Sequence, residues 1–256
     1  MTNPAHVPPA LADFFRGHPR LALALSGGAD SAWLLYAARA CGCDVRAYCI
    51  QSAFQPAFEL EDARRLAADM KVPLTVIPLD VLSCPEVAKN PADRCYHCKR
   101  ALFSALVGRA RADGFDTVVD GTNASDDAGD RPGMRALAEM GVLSPLRLCG
   151  IAKAQVRECA RRAGLFTWDK PAYACLATRV PAGTAITDEL LRRIEGAEAA
   201  LMAMGFSDLR VRLYHDAARV QLPAAQLGRA VEARGAIRAA LKPWFDTVLL
   251  DLEDRE

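Results

Sequence analysis

The apolar run Leu21–Leu25 ends directly on Ser26-Gly27-Gly28-Ala29-Asp30-Ser31, and Asp30–Ala40 then carries apolar residues at helical spacing. A buried strand joined to a helix by so short a link leaves few folds open, because the helix must start beside the C-terminal end of its strand. The link also sets the chemistry. Free backbone N–H groups at a helix N-terminus gather negative charge, two adjacent glycines let the backbone approach anionic oxygens closely, and Ser26 and Ser31 add hydroxyls. Asp30 stands where it can hold Mg2+ beside a bound phosphate group. The lysine followed by serine or threonine that closes a Walker A loop is absent.

Around this unit the chain repeats its pattern. Strands are expected at Leu21–Leu25, Val45–Ile50, Leu74–Leu79 and Thr117–Asp120. Helices are expected over Asp30–Ala40, Phe58–Met70, Cys98–Ala112, Gly133–Met140 and Lys153–Ala163. The alternation predicts an α/β fold built on a doubly wound parallel sheet. Asp120-Gly121-Thr122-Asn123, at the end of the fourth strand, falls on the rim where such sheets bind ligands.

After Val180 the texture changes. Pro181-Ala182-Gly183-Thr184 breaks the chain, and Thr187–Met204 reads as one helix opening on a Thr-Asp-Glu cap. Leu209–Tyr214 and Ala218–Leu222 alternate as antiparallel strands around His215-Asp216, followed by a helix over Ala224–Ala240 and an apolar run Thr247–Leu252. The expected division is a nucleotide-binding domain at 1–180 and a smaller α+β domain at 181–256.

The 256 residues carry a net charge of +1, so no global positive field exists to gather a nucleic acid. With no apolar run long enough to span a bilayer and no charged start leading into an apolar core at Met1–Ala10, the protein is expected to be cytoplasmic and to have no membrane partner. Nine cysteines include Cys95-Tyr-His-Cys98 at a helix start. In such a chain the pair points to metal or redox chemistry, and by spacing alone a dithiol, half a zinc site or part of an iron–sulfur site all remain open. Cys175 lies far downstream in Trp168-Asp169-Lys170-Pro171-Ala172-Tyr173-Ala174-Cys175-Leu176-Ala177-Thr178-Arg179. Three thiolates suit a cluster with one open iron better than a closed zinc site. Cys84 is a spare thiol, and Cys41, Cys43, Cys49, Cys149 and Cys159 are given no chemistry. His97 either orients a sulfur or sits exposed at the helix start; His6, His18 and His215 form no constellation.

Ser-Gly-Gly-x-Asp-Ser directly after a buried strand resembles the signature of the PP-loop ATP pyrophosphatases, which cleave ATP between its α and β phosphates and place AMP on a substrate oxygen. Ser26, Gly27, Gly28, Asp30 and Ser31, with Gly121, Thr122 and Asn123, are then the expected ATP and pyrophosphate contacts. With Gly129-Asp130-Arg131-Pro132-Gly133, Ser144-Pro145-Leu146 and the Thr167–Arg179 segment added, the chain resembles the LarE family over most of its length. That resemblance implies an adenine nucleotide alpha hydrolase-like fold and an ATP-dependent sulfur transferase. The enzyme would adenylate the carboxylates of pyridinium-3,5-biscarboxylic acid mononucleotide and thiolate them during nickel-pincer nucleotide synthesis. It also implies that Cys95, Cys98 and Cys175 hold a 4Fe-4S cluster fed by sulfide or another sulfur donor, in contrast to members that sacrifice one cysteine at the position of Cys175. Arg210 and Arg212, together with Arg179, are implied on the substrate phosphate. Gln221 stands where an acidic residue is expected, and a homo-oligomer is implied. A tRNA thiolase uses the same adenylation, but an RNA substrate calls for a basic footprint that this chain lacks.

Overall fold

A computed structural model describes residues 7–126 and 132–255. The expected contribution of Gly129-Asp130-Arg131 lies outside these residues. The elements are α1 Pro9–Gly17, β1 Arg20–Ala24, α2 Ala29–Ala40, β2 Asp44–Gln51, α3 Ala57–Asp69, β3 Leu74–Pro78, α4 Pro85–Ala88, α5 Arg94–Ala112, β4 Val118–Val119 and α6 Pro132–Glu139. They continue with α7 Pro145–Leu148, α8 Lys153–Arg162, α9 Asp188–Ala203, β5 Arg210–Tyr214, β6 Ala217–Gln221, α10 Ala224–Glu232, α11 Arg234–Leu241 and β7 Val248–Leu250. Contacts divide the chain into two units: Met1–Val81 with Asp93–Lys170, and Leu82–Ala92 with Pro171–Glu256. The break drawn at Val180 thus falls inside the second unit, which also takes a short segment from far upstream.

The first unit is α/β, with a parallel sheet in the order β3-β2-β1-β4. Side chains alternate across a strand, and β1 shows what this does. Leu21 and Leu23 join one core with Leu11, Trp33, Leu34, Leu66 and Val156, while Ala22 joins another with Tyr48, Leu106, Ala110 and Leu137. Helices α1, α2, α3 and α8 therefore cover one face, and α5 and α6 the other. This is the doubly wound arrangement the sequence predicts. The strand order reverses between β1 and β4, the switch point at which ligands bind in open parallel sheets. Only Val118–Val119 of the expected fourth strand pairs with β1, through Ala22↔Val118 and Leu23↔Val119.

The second unit carries the sheet β5-β6-β7, antiparallel between β5 and β6 and parallel between β6 and β7. Helix α9 begins as expected, with the Thr187 hydroxyl accepting from Leu190 N at 3.2 Å and Asp188 and Glu189 in the first turn. The single helix expected over Ala224–Ala240 is two. Ala233, at φ −84° and ψ 9°, leaves helical geometry between α10 and α11. Among the described residues no helix is long and apolar enough to cross a membrane.

Candidate functional site

In the first unit the loop between β1 and α2 closes on itself. Ser26 Oγ and Ser31 Oγ lie 3.1 Å apart, Ser26 N donates to Ser31 Oγ at 3.2 Å, and Ser31 Oγ donates to Gly28 O at 3.3 Å. Gly27 has φ +78°, and a Cβ there would stand 2.4 Å from Glu59 O, so the turn admits only glycine. Gly121 closes the other side, because a Cβ on it would come within 2.8 Å of Ser31 N. The ends of β1 and β4 thus press their loops together at the first turn of α2.

Asp120 secures the second loop, accepting from Ser144 Oγ at 2.6 Å and from Thr122 Oγ1 at 2.5 Å. Asn123 is buried, its Oδ1 accepting from Ser125 N at 2.8 Å and its own N–H donating to Asp126 Oδ2 at 2.9 Å. A cavity of about 290 Å³ opens here, lined by Ser26, Gly28, Asp30 and Thr122 together with apolar side chains of β2 and α5. That size is at the lower end for small-molecule sites.

Asp30 faces this cavity with its two oxygens in different states. Oδ2 takes the Lys153 ammonium at 2.5 Å, while Oδ1 is buried without a partner. Burial pushes the carboxyl above its ordinary range, and the bond and charge of Lys153 pull it partly back. A second lysine closes over the glycine pair: Lys170 Nζ bonds Asp62 at 2.5 Å and Gly27 O at 3.3 Å. The sequence reading missed Lys153, Lys170 and Asp62. Lys153 did carry a signal, since it opens α8 where the helix dipole disfavours a cation. A residue so placed has a task elsewhere.

Cys95 lies in the first turn of α5 and Cys98 in the next, three residues apart and so on one face, with Cys95 exposed and Cys98 buried. Arg94 Nη2 reaches Cys95 Sγ at 3.5 Å. His97 pairs with Asp93 at 3.3 Å, the contact of a helix-start histidine. Burial pushes the thiols of Cys43 and Cys49 up to about 11, which disfavours their reactive thiolate form.

Cys175 belongs to the second unit, as does Cys84, whose Sγ donates to Glu86 at 3.2 Å. Cys175 caps a 3-10 turn over Leu176–Arg179, and its carbonyl accepts from Thr178 N at 2.9 Å and Thr178 Oγ1 at 2.8 Å. Arg179 is fully buried and anchors this turn. Its Nη1 donates to Ala174 O at 2.8 Å while Nε meets Glu198 at 2.8 Å. Arg210 is buried and donates to Leu209 O and Ala172 O, both at 2.6 Å. Arg212 is half-buried and bonds Thr178 O at 2.8 Å and Gln221 Oε1 at 2.5 Å. Gln221 in turn donates to Asp251 at 2.9 Å, so the negative charge expected near position 221 sits one bond further on. Within either unit alone, the described residues gather no three His, Cys, Asp or Glu side chains around one point.

No family model matches the chain. It is 33% identical over 236 residues to the pyridinium-3,5-bisthiocarboxylic acid mononucleotide synthase of Lactiplantibacillus plantarum, covering 91% of this chain and 86% of that protein. An uncharacterized protein of Synechocystis sp. is 36% identical over 223 residues, 87% of this chain and 83% of its own. An uncharacterized protein of Methanocaldococcus jannaschii is 32% identical over 176 residues, 68% and 69% of the two chains.

Proposed function

The chain belongs to the LarE family, and from that premise we propose that it is an ATP-dependent sulfur transferase acting on pyridinium-3,5-biscarboxylic acid mononucleotide, of the PP-loop type. The observation that carries the reading is the Ser26–Ser31 loop, packed against Gly121 at the sheet's switch point with an unpartnered buried oxygen on Asp30. Backbone N–H groups at the start of α2 and the two serine hydroxyls receive phosphate oxygens, and Lys153 and Lys170 supply positive charge beside them. A substrate carboxylate oxygen attacks the α-phosphorus, the bond to the bridging oxygen breaks, and pyrophosphate leaves. A sulfur nucleophile then adds to the activated carbonyl carbon and AMP departs.

The donor chemistry fits the two implied metal groups. Asp30, with its unpartnered Oδ1, would hold Mg2+, which would neutralise charge on the leaving pyrophosphate. Cys95, Cys98 and Cys175 are soft thiol donors that would hold a 4Fe-4S cluster, which would supply an open iron for sulfide. In the second unit, Arg210 and Arg212 take the substrate phosphate, and the crowding of guanidinium groups supports this. Burial comes first and the neighbouring Arg179 and Arg255 second in depressing Arg210 to about 10, and Arg212 is lowered by burial, Arg179, Arg219 and Arg255. An arriving anion relieves that repulsion. Arg179, paired with the buried Glu198, steadies the Ala174–Thr178 turn, and the protein works as a homo-oligomer.

The test supplies ATP, Mg2+, sulfide and the biscarboxylate mononucleotide to anaerobically purified protein, with nucleotides and acceptor followed by chromatography and mass spectrometry. AMP, pyrophosphate and a thiolated acceptor are expected, with the Asp30→Ala protein inactive. Cys95→Ala, Cys98→Ala and Cys175→Ala should each lose iron and sulfur transfer. ADP as product overturns the reading of the loop, and dehydroalanine at position 175 overturns the cluster.

A further inference from the structure

The cavity of the first unit is lined by both polar and apolar side chains, and the proposed reading assigns the parts of a nucleotide to them. With phosphates at Ser26, Gly28 and Asp30, the base is left to the apolar side chains Tyr48, Ile50, Leu102, Phe103 and Leu106. These side chains suit the two flat faces of a purine, because aromatic and aliphatic walls gain from covering an apolar ring. They say nothing of which purine. That choice needs a hydrogen-bonding group at the base edge, and the lining offers few. The Tyr48 hydroxyl is given to Asp113 Oδ2 at 2.9 Å. Asp120 is occupied by Thr122 and Ser144. Gln55, on the turn after β2, lines the same cavity, and its Oε1 is buried without a hydrogen-bond partner.

A buried acceptor left unpaired costs about 1–3 kcal/mol, so it marks a place where a donor is expected. We infer that Gln55 reads the exocyclic amine of the base and makes the site select adenine over guanine; the inference rests on the ATP reading above. Adenine brings an N–H donor to the acceptor, whereas guanine brings the O6 lone pairs to the same place and leaves both oxygens unpaired. The asymmetry is what makes such a site selective: an analogue that cannot satisfy the buried group pays its full desolvation.

Calorimetric titration of the full chain with Mg2+ compares ATP with purine riboside 5′-triphosphate, which lacks only the amine. The wild-type protein should bind the amine-free nucleotide about five- to tenfold more weakly, the worth of one neutral hydrogen bond. Gln55→Leu should bring ATP down to that weaker affinity and leave purine riboside triphosphate unchanged, while Gln55→Glu, which keeps an acceptor, should preserve the preference. Equal binding of the two nucleotides by the wild-type protein overturns the inference, as does a preference that survives Gln55→Leu; in either case ATP still binds and the parent reading stands. Binding of neither nucleotide removes the ATP reading and this inference together.

Discussion

Glu198→Ala should be among the most damaging single substitutions in the second unit, and the structure gives the reason bond by bond. Glu198 Oε1 accepts from Arg179 Nε and from Val211 N, each at 2.8 Å, and Oε2 accepts from Arg179 Nη2 at 3.2 Å and from the Tyr173 hydroxyl. The two side chains are 1% and 0% exposed, so water does not screen the pair. Removing the carboxylate takes away the acceptor of Arg179 Nε and Nη2 and leaves a buried guanidinium without its counter-charge, and breaking a buried pair in this way costs about 3–5 kcal/mol. The Tyr173 and Val211 donors lose this acceptor too, which pushes toward the upper end of that range. Against a typical stability of about 5–15 kcal/mol, such a loss leaves the unit marginal. Because two units unfold in one chain, the measurement must be local: pulsed hydrogen exchange across a urea series, read on peptides of α9 and β5. The Ala174–Thr178 turn should lose protection along with them, since Arg179 Nη1 ties that turn to the same ion pair. A loss below about 1 kcal/mol, with the turn still protected, would refute the reasoning, because it would mean that the pair is solvated or replaceable.

Two further outcomes follow from the titrating groups. Bonds from Arg161 and Arg162 hold the Glu158 carboxyl down at about 2, below an ordinary 4.5, so its contribution is present above pH 4.5 and lost as pH falls toward 2. Glu158→Gln should lower the melting temperature slightly at pH 7, and the difference from wild type should close between pH 4.5 and 2; a difference that persists at the acid end contradicts the linkage. In reduced, chelator-treated protein at pH 8, iodoacetamide should modify the exposed Cys95 while the buried Cys43 and Cys49, with thiols near 11, stay unmodified by mass spectrometry. Alkylation of Cys43 or Cys49 at the rate of Cys95 would contradict that burial.

What the sequence made legible was local. The run into Ser26–Ser31 announced β1, its loop and α2, because strand, turn and helix preferences there agree within a dozen or so residues. Thr187 announced α9 by the same kind of short-range rule, and the apolar runs Val45–Ile50 and Leu74–Leu79 placed β2 and β3. The helix break at Ala233 escaped because no proline or strong turn residue marks it and a one-residue departure in ψ leaves the apolar spacing intact.

What stayed hidden was the pairing of residues far apart in the chain. Asn90 shows how little trace such a contact leaves. Held at φ +55°, it donates through Nδ2 to Pro181 O at 2.8 Å and Thr184 O at 3.2 Å and accepts from Gly183 N at 2.8 Å. The Pro-Ala-Gly-Thr stretch that read as a domain break is therefore a turn gripped by a segment some ninety residues upstream. The site follows the same rule. Its glycine loop is written in one stretch of sequence, yet the cations beside that loop, Lys153 and Lys170, reach Asp30 and Asp62 across more than a hundred residues. Only a local conflict could have betrayed one of them, and Lys153, a cation at a helix start, is that conflict. Glu198 offered no such flag, because on an amphipathic helix it looks like any solvated acid until Arg179 and Tyr173 are folded against it.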